Sequence, residues 1–199
     1  MMKSSKFLSI IFFIIIHISG ITYSYSIEPD VFVQSTVNRA SEALSNKFSK
    51  EEKIKKLKEI ASETVDLDGI GRYTLGSYKN KITDSQMIEY KILFRQYFLK
   101  SFASRLAEYS NPEIQVVSKK KISEKYTIVS SLLVATEQRP EVKIDWRIST
   151  KNPNNPLIMN LVIEGLSLAR TQKEEFSSII QSNDGDINAL FSTLKEFIK

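Results

Sequence analysis

Glu141-Val142-Lys143-Ile144-Asp145-Trp146-Arg147-Ile148-Ser149-Thr150 alternates apolar and charged side chains with a period of two. Successive side chains of a strand point to opposite faces, so this stretch reads as a strand with Val142, Ile144, Trp146 and Ile148 on one side. Lys143, Asp145 and Arg147 take the other side, which makes one face buried and one wet. The same period predicts strands near Glu113 to Lys119, Lys125 to Thr136 and Leu157 to Glu164. The connections Gln138-Arg139-Pro140 and Asn152-Pro153-Asn154-Asn155-Pro156 are rich in turn formers and short enough for antiparallel neighbours. A four-stranded antiparallel meander follows.

On both sides of the meander the period becomes helical. Upstream, Val33, Val37, Ala40 and Leu44 form one buried stripe after Pro29. Ser49-Lys50-Glu51-Glu52 is a capping box that opens a second helix from about Lys50 to Thr64. Val65 to Tyr78, with Gly69, Gly71 and Gly76, predicts a short helix broken by turns. Thr83-Asp84-Ser85-Gln86 is a second capping box, opening an unusually aromatic face of Met87, Tyr90, Phe94, Tyr97, Phe98, Phe102, Leu106 and Tyr109 that ends before Asn111-Pro112. Downstream, Phe176, Ile179 and Ile180, then Ile187, Leu190, Phe191, Leu194 and Ile198, predict two helices separated by Asn183-Asp184-Gly185. The fold class is therefore α+β. N-terminal helices and two C-terminal helices pack on a curved four-stranded antiparallel meander, an NTF2-like or cystatin-like outline with an internal apolar cavity.

Lys3 and Lys6, the apolar run Phe7 to Ile18, and the small polar stretch to Ser24-Tyr25-Ser26 read as a secretory signal peptide over residues 1–26. Residues 27–199 are then a single domain. Loss of the two leader lysines lowers the formal charge from +5 to +3. The basic stretches Lys53 to Lys58 and Lys119-Lys120-Lys121 read as solvated faces, with attraction to anionic lipid head groups or an acidic partner as the alternative, and the export that the leader predicts argues against a nucleic-acid footprint. The sequence has no Cys, and its one His, His17, lies in the leader. Disulfides, thiolate nucleophiles, Ser-His-Asp machinery and His or Cys metal sites are thereby excluded from the mature chain. Gly69-Ile70-Gly71 lacks the preceding strand and third glycine of a nucleotide-binding loop and reads as a turn.

Lys143-Ile144-Asp145-Trp146-Arg147-Ile148, followed by Leu161-Val162-Ile163-Glu164-Gly165-Leu166-Ser167-Leu168, resembles the MlaC or toluene-tolerance family. Its members have an aliphatic-Asp-aromatic-Arg-aliphatic strand and then a strand ending in Ile-Glu-Gly-Val-Ser-Leu. Arg72-Tyr73-Thr74-Leu75-Gly76-Ser77-Tyr78 is similar to the family's Leu-Gly-x-Tyr motif, and Phe94 to Phe102 to its aromatic helix. The likeness covers essentially the whole mature chain. Two departures are Pro156-Leu157 in place of a Trp-Lys pair and Asn160 in place of an Asp. The resemblance implies a periplasmic phospholipid carrier, without catalysis, metal or cofactor, serving outer-membrane lipid asymmetry. Its implied partners are phospholipid, an inner-membrane ABC transporter complex carrying an MCE protein, and an outer-membrane lipoprotein complex.

The chemistry of such a carrier is simple. At roughly 0.8 kcal/mol per exposed methylene, two acyl chains of about 15 carbons cost on the order of 20 kcal/mol to carry bare through water. A dry, open-ended apolar cavity avoids that cost. The expected lining is Val33, Val37, Ile70, Tyr73, Leu75, Phe94, Phe98 and Phe102 on the helices, with Leu133, Ile144, Trp146, Leu161 and Ile163 on the sheet. Pattern alone does not separate a hollow interior from an ordinary close-packed core of the same residues. Two other readings stay open at this stage. One is an NTF2-like enzyme using Asp145 or Glu164 as a general base; the other is a periplasmic adaptor that binds protein and no lipid.

Overall fold

The computed structural model describes residues 26–137 and 139–199, so residues 1–25 of the expected leader, and Gln138, lie outside the described residues. Helix α1 (Pro29–Ala43) begins on a proline, whose fixed φ suits a first turn. Helix α2 (Lys50–Thr64) opens on the expected capping box: the Ser49 side chain accepts from the Glu52 amide, and the Glu52 side chain accepts from the Ser49 amide. Helix α3 (Leu67–Thr74) is capped by Asp66 and runs into a 3-10 turn over Gly76–Asn80. The break falls at Gly76, whereas Gly69-Ile70-Gly71, a turn on the sequence reading, lies inside the helix, where the Asp66 cap and packing against α4 outweigh the glycines' weak helix propensity. Helix α4 (Asp84–Leu106) opens on the Thr83 capping box and stops before Tyr109, which is exposed.

The sheet follows as β1 (Ile114–Ser123), β2 (Tyr126–Leu133), β3 (Val142–Ser149), β4 (Leu157–Ile163) and β5 (Leu166–Ser167), all antiparallel and paired in chain order. It has five strands where the sequence predicts four. The extra one is two residues long, formed because Glu164 and Gly165 both adopt positive φ and fold the chain back on β4. Two residues carry no readable period, so the pattern gave no sign of it. Helices α5 (Leu168–Gln181) and α6 (Ile187–Ile198) complete the chain.

Helices α1, α3, α4, α5 and α6 and the inner face of the sheet share one large apolar cluster, which includes Val33, Leu75, Phe94, Val129, Ile148 and Leu190. A second, smaller cluster of Ala43, Leu44, Leu57, Ile60, Ala103 and Ala107 joins α1, α2 and the C-terminal end of α4. The α2–α3 junction is pinned to the sheet, since Val65 bridges Ile158 and the Asp66 amide donates to the Ile158 carbonyl at 2.9 Å. Among the described residues no helix is long and apolar enough to cross a membrane.

Candidate functional site

The inner face of the sheet is built in rows fixed by register. Val129, Trp146 and Leu161 lie opposite one another across β2, β3 and β4; Ser131, Ile144, Ile163 and Leu166 form the next row, extending onto β5. Exposure rises along the apolar face of β3 and β4 towards that end. Ile148 and Ile158 are 0% and 5% exposed, Leu161 and Ile163 are half-buried, and Leu166 reaches 60%. The inner face therefore has more apolar surface at one end than the helices cover.

Helix α4 supplies the facing aromatics. Tyr90, Phe94, Phe98 and Phe102 follow one another along one stripe, with ring centroids 5.8, 6.0 and 5.4 Å apart. Tyr90 and Phe94 are buried, whereas Phe98 and Phe102, stacked at 15°, are half-buried. Helix α3 reaches this stripe closely at Gly71, where a Cβ would stand 2.8 Å from the Phe94 ring. The Tyr90 hydroxyl lies 2.8 Å from Thr74 Oγ1 and donates to the Gly71 carbonyl at 3.2 Å. Burial pushes the Tyr90 phenol well above its ordinary pKa and outweighs the Thr74 hydrogen bond, so the hydroxyl is neutral and its bonds hold α3 on α4.

The sheet side contains polar atoms that are satisfied internally. Trp146 Nε1 donates to Ser131 Oγ at 2.8 Å, both residues being buried, which removes the desolvation cost of an indole N–H inside an apolar wall. Asn160 donates through Nδ2 to Ser167 Oγ and accepts the Ala169 amide through Oδ1. This ties β4 to the first turn of α5 through a side chain that must both donate and accept, which a carboxylate cannot do.

Twelve of the thirteen expected lining residues fall in the large cluster: Val33, Val37, Ile70, Leu75, Phe94, Phe98, Phe102, Leu133, Ile144, Trp146, Leu161 and Ile163. Tyr73 stands outside it, 46% exposed, with the Lys173 ammonium over its ring. Helical phase explains this, because Ile70, Gly71 and Thr74 occupy the inward positions of α3. Residues of the same interior that the expected lining left out include Val129, Tyr90, Phe176 and Ile180. Each sat in a legible period, Val129 alternating with Ser131 and Leu133, and Tyr90 one turn before Phe94.

The two carboxylates considered as general bases lie elsewhere. Asp145 accepts from Ser130 Oγ at 2.6 Å on the sheet face opposite Trp146, with Lys143 Nζ 3.6 Å away. Glu164 sits in the β4–β5 turn, where its carboxylate accepts the Lys143 amide. Neither faces the apolar interior. Among the described residues there is also no group of three or more metal-ligating side chains.

Helices laid over the apolar inner face of an antiparallel meander define an α+β domain whose distinguishing feature is its interior. A family model described as MlaC protein matches residues 33–196, and the chain belongs to the MlaC family. No curated protein matches it. Among solved structures, it is similar to the phospholipid-binding protein from Ralstonia solanacearum, determined in complex with a phospholipid. The two are 18% identical with a TM-score of 0.71, and the match covers 86% of this chain and 97% of that one. At that identity the likeness shows the fold.

Proposed function

We propose that this protein is a periplasmic phospholipid carrier, exported by a cleaved leader over residues 1–26, that moves lipid between membrane complexes without chemical change. The observation that carries the reading is membership of the MlaC family together with an apolar interior that is incompletely covered at one end. The cargo's acyl chains lie between α4 and the sheet, with Phe98, Phe102, Leu161 and Ile163 as the residues that gain most by covering. The remaining lining is Val33, Val37, Ile70, Leu75, Phe94, Leu133, Ile144 and Trp146. No proton transfer or covalent step is required, in keeping with carboxylates that point away from the interior.

On this reading the carrier takes lipid from one membrane complex and delivers it to another. The inner-membrane partner is an ABC transporter with an MCE protein and the outer-membrane partner a lipoprotein complex, so that the system maintains outer-membrane lipid asymmetry. Mass spectrometry of the intact protein after gentle purification tests the proposal. The expected result is a mass increment of one diacyl phospholipid, replaced by exchange with vesicle lipid. Protein that arrives bare and takes up no lipid from vesicles refutes it.

A further inference from the structure

We propose that the groove between α3 and α5 holds a zwitterionic head group, a phosphate ester joined to a primary ammonium. The inference rests on the carrier reading and specifies the polar end of the cargo. The groove has a volume of about 500 Å³ and is walled by Tyr73 of α3 and by Arg170, Lys173, Glu174, Ser177 and Ser178 of α5. Among the described residues neither Arg170 nor Glu174 has an ion-pair partner, and the Lys173 ammonium has only the Tyr73 ring, 5.6 Å from its centroid. Two cations, a carboxylate and two hydroxyls thus meet at one concavity, and the contact of Lys173 with the Tyr73 ring is the one cation–π or ion-pair interaction that they make among the described residues.

The lysine is placed by packing. Its aliphatic stem lies beside Gly76, where a Cβ would come within 2.9 Å of Lys173 Cε. Gly76 has φ +56°, a backbone state that side chains rarely adopt, so the bare position is kept and the stem has room. A phosphate takes the Arg170 fork, the Lys173 ammonium and the two serine hydroxyls as donors. A primary ammonium takes Glu174, and once Lys173 turns to the phosphate the face of Tyr73 that it covered is open to that ammonium. A head group with the phosphate alone leaves Glu174 as an uncompensated like charge, which costs affinity and selects for the zwitterion. The position suits a lipid whose tails lie between α4 and the sheet: α5 turns Phe176 and Ile180 into that interior and α3 turns Ile70 inward, while the groove lies on the outer side of the same two helices.

Titration of the protein with O-phosphoethanolamine, followed by amide and side-chain NMR, tests the groove without the tails. Chemical shifts at Tyr73 and along residues 170–178 are expected, with sn-glycerol 3-phosphate binding about fivefold more weakly, the worth of one partly exposed ion pair. Glu174→Gln, at an exposed position, removes that difference. Loading from vesicles holding equal amounts of phosphatidylethanolamine and phosphatidylglycerol should enrich the former in the wild-type protein and not in Glu174→Gln. Equal loading of both lipids by the wild-type protein, or no shifts at the groove, overturns the assignment and leaves the carrier reading standing. Binding of O-phosphoethanolamine at the groove by a protein that loads no lipid upholds the groove as a site for a soluble phosphoester and defeats the carrier reading.

Discussion

The two apolar clusters share helix α4 but are finished differently. Around Ala103 and Ala107 the partners are Ala43, Leu44, Leu57 and Ile60, and short side chains let three helices close on one another. Around Phe94, Phe98 and Phe102 the side chains are large and face a sheet, and half-buried residues such as Leu161 and Ile163 fringe the buried ones. A closed cluster stabilises the fold. A fringed one holds apolar surface in reserve, and each methylene covered by a ligand returns roughly 0.8 kcal/mol. Stability and cargo binding should therefore separate along a single helix.

Leu57→Ala should show the largest effect on stability, about 2–5 kcal/mol read from the urea midpoint, because a buried leucine leaves a cavity between helices. Lipid carried per folded molecule should not change; if it falls too, the division between the clusters is broken. Phe98→Ala should cost less stability, about 2 kcal/mol, since the ring is half-buried, and should lower lipid uptake several-fold. Unchanged uptake with a large loss of stability would make the fringed cluster an ordinary core.

Tyr90→Phe sharpens the boundary between α3 and α4, and should cost about 1 kcal/mol because Thr74 keeps its own bond to the Gly71 carbonyl. The same substitution tests a pH dependence. Burial raises the phenol's pKa above its ordinary 10.0, so ionisation is easier in the unfolded chain. Tyr90 therefore leaves stability unaffected below pH 10.0 and erodes it as pH rises beyond that value. Chemical denaturation of the wild-type protein between neutral and alkaline pH should show that decline, and Tyr90→Phe should flatten it.

The smallest effect belongs to the outer edge of the sheet, where Lys119 bridges Glu28 at 2.7 Å and Asp30 at 2.8 Å. Burial alone would raise the Asp30 carboxyl, but bonds from Lys119 and from the amides of Asp30 and Val31 outweigh it and hold it below its ordinary 3.8. The hydrogen bonds to Asp30 and Glu28 raise Lys119 above its ordinary 10.5. The clip is present between those two ordinary values, is lost as pH falls below the first, and is lost again as pH rises above the second. Amide-exchange protection in the first turn of α1, after correction for the intrinsic slowing of exchange in acid, should fall at acidic pH while protection at Leu57 does not.

Elements with a mechanism in their sequence were legible. Ser49 and Thr83 open their helices through the capping boxes that the spacing of Glu52 and Gln86 predicts, and β3 places Ile144, Trp146 and Ile148 inward as its alternation requires. What failed was what local pattern does not encode. The strand β5 depends on a positive φ at Glu164, and the outward turn of Tyr73 depends on the phase of an eight-residue helix containing two glycines. The candidate site was legible as a set of apolar positions but not as an arrangement, because a filled core and a lined one use the same side chains. The half-burial of Phe98, Phe102, Leu161 and Ile163 is a property of the assembled fold.

The chain has one tryptophan, Trp146, and it lies in the middle of the sheet's inner face between Val129 and Leu161. Loading the protein with a phospholipid brominated at mid-chain should strongly quench its fluorescence, and a lipid brominated only at the head group should not. A protein that holds the brominated chain, as shown by its mass, while its emission stays that of the unbrominated complex would contradict tails seated between α4 and the sheet.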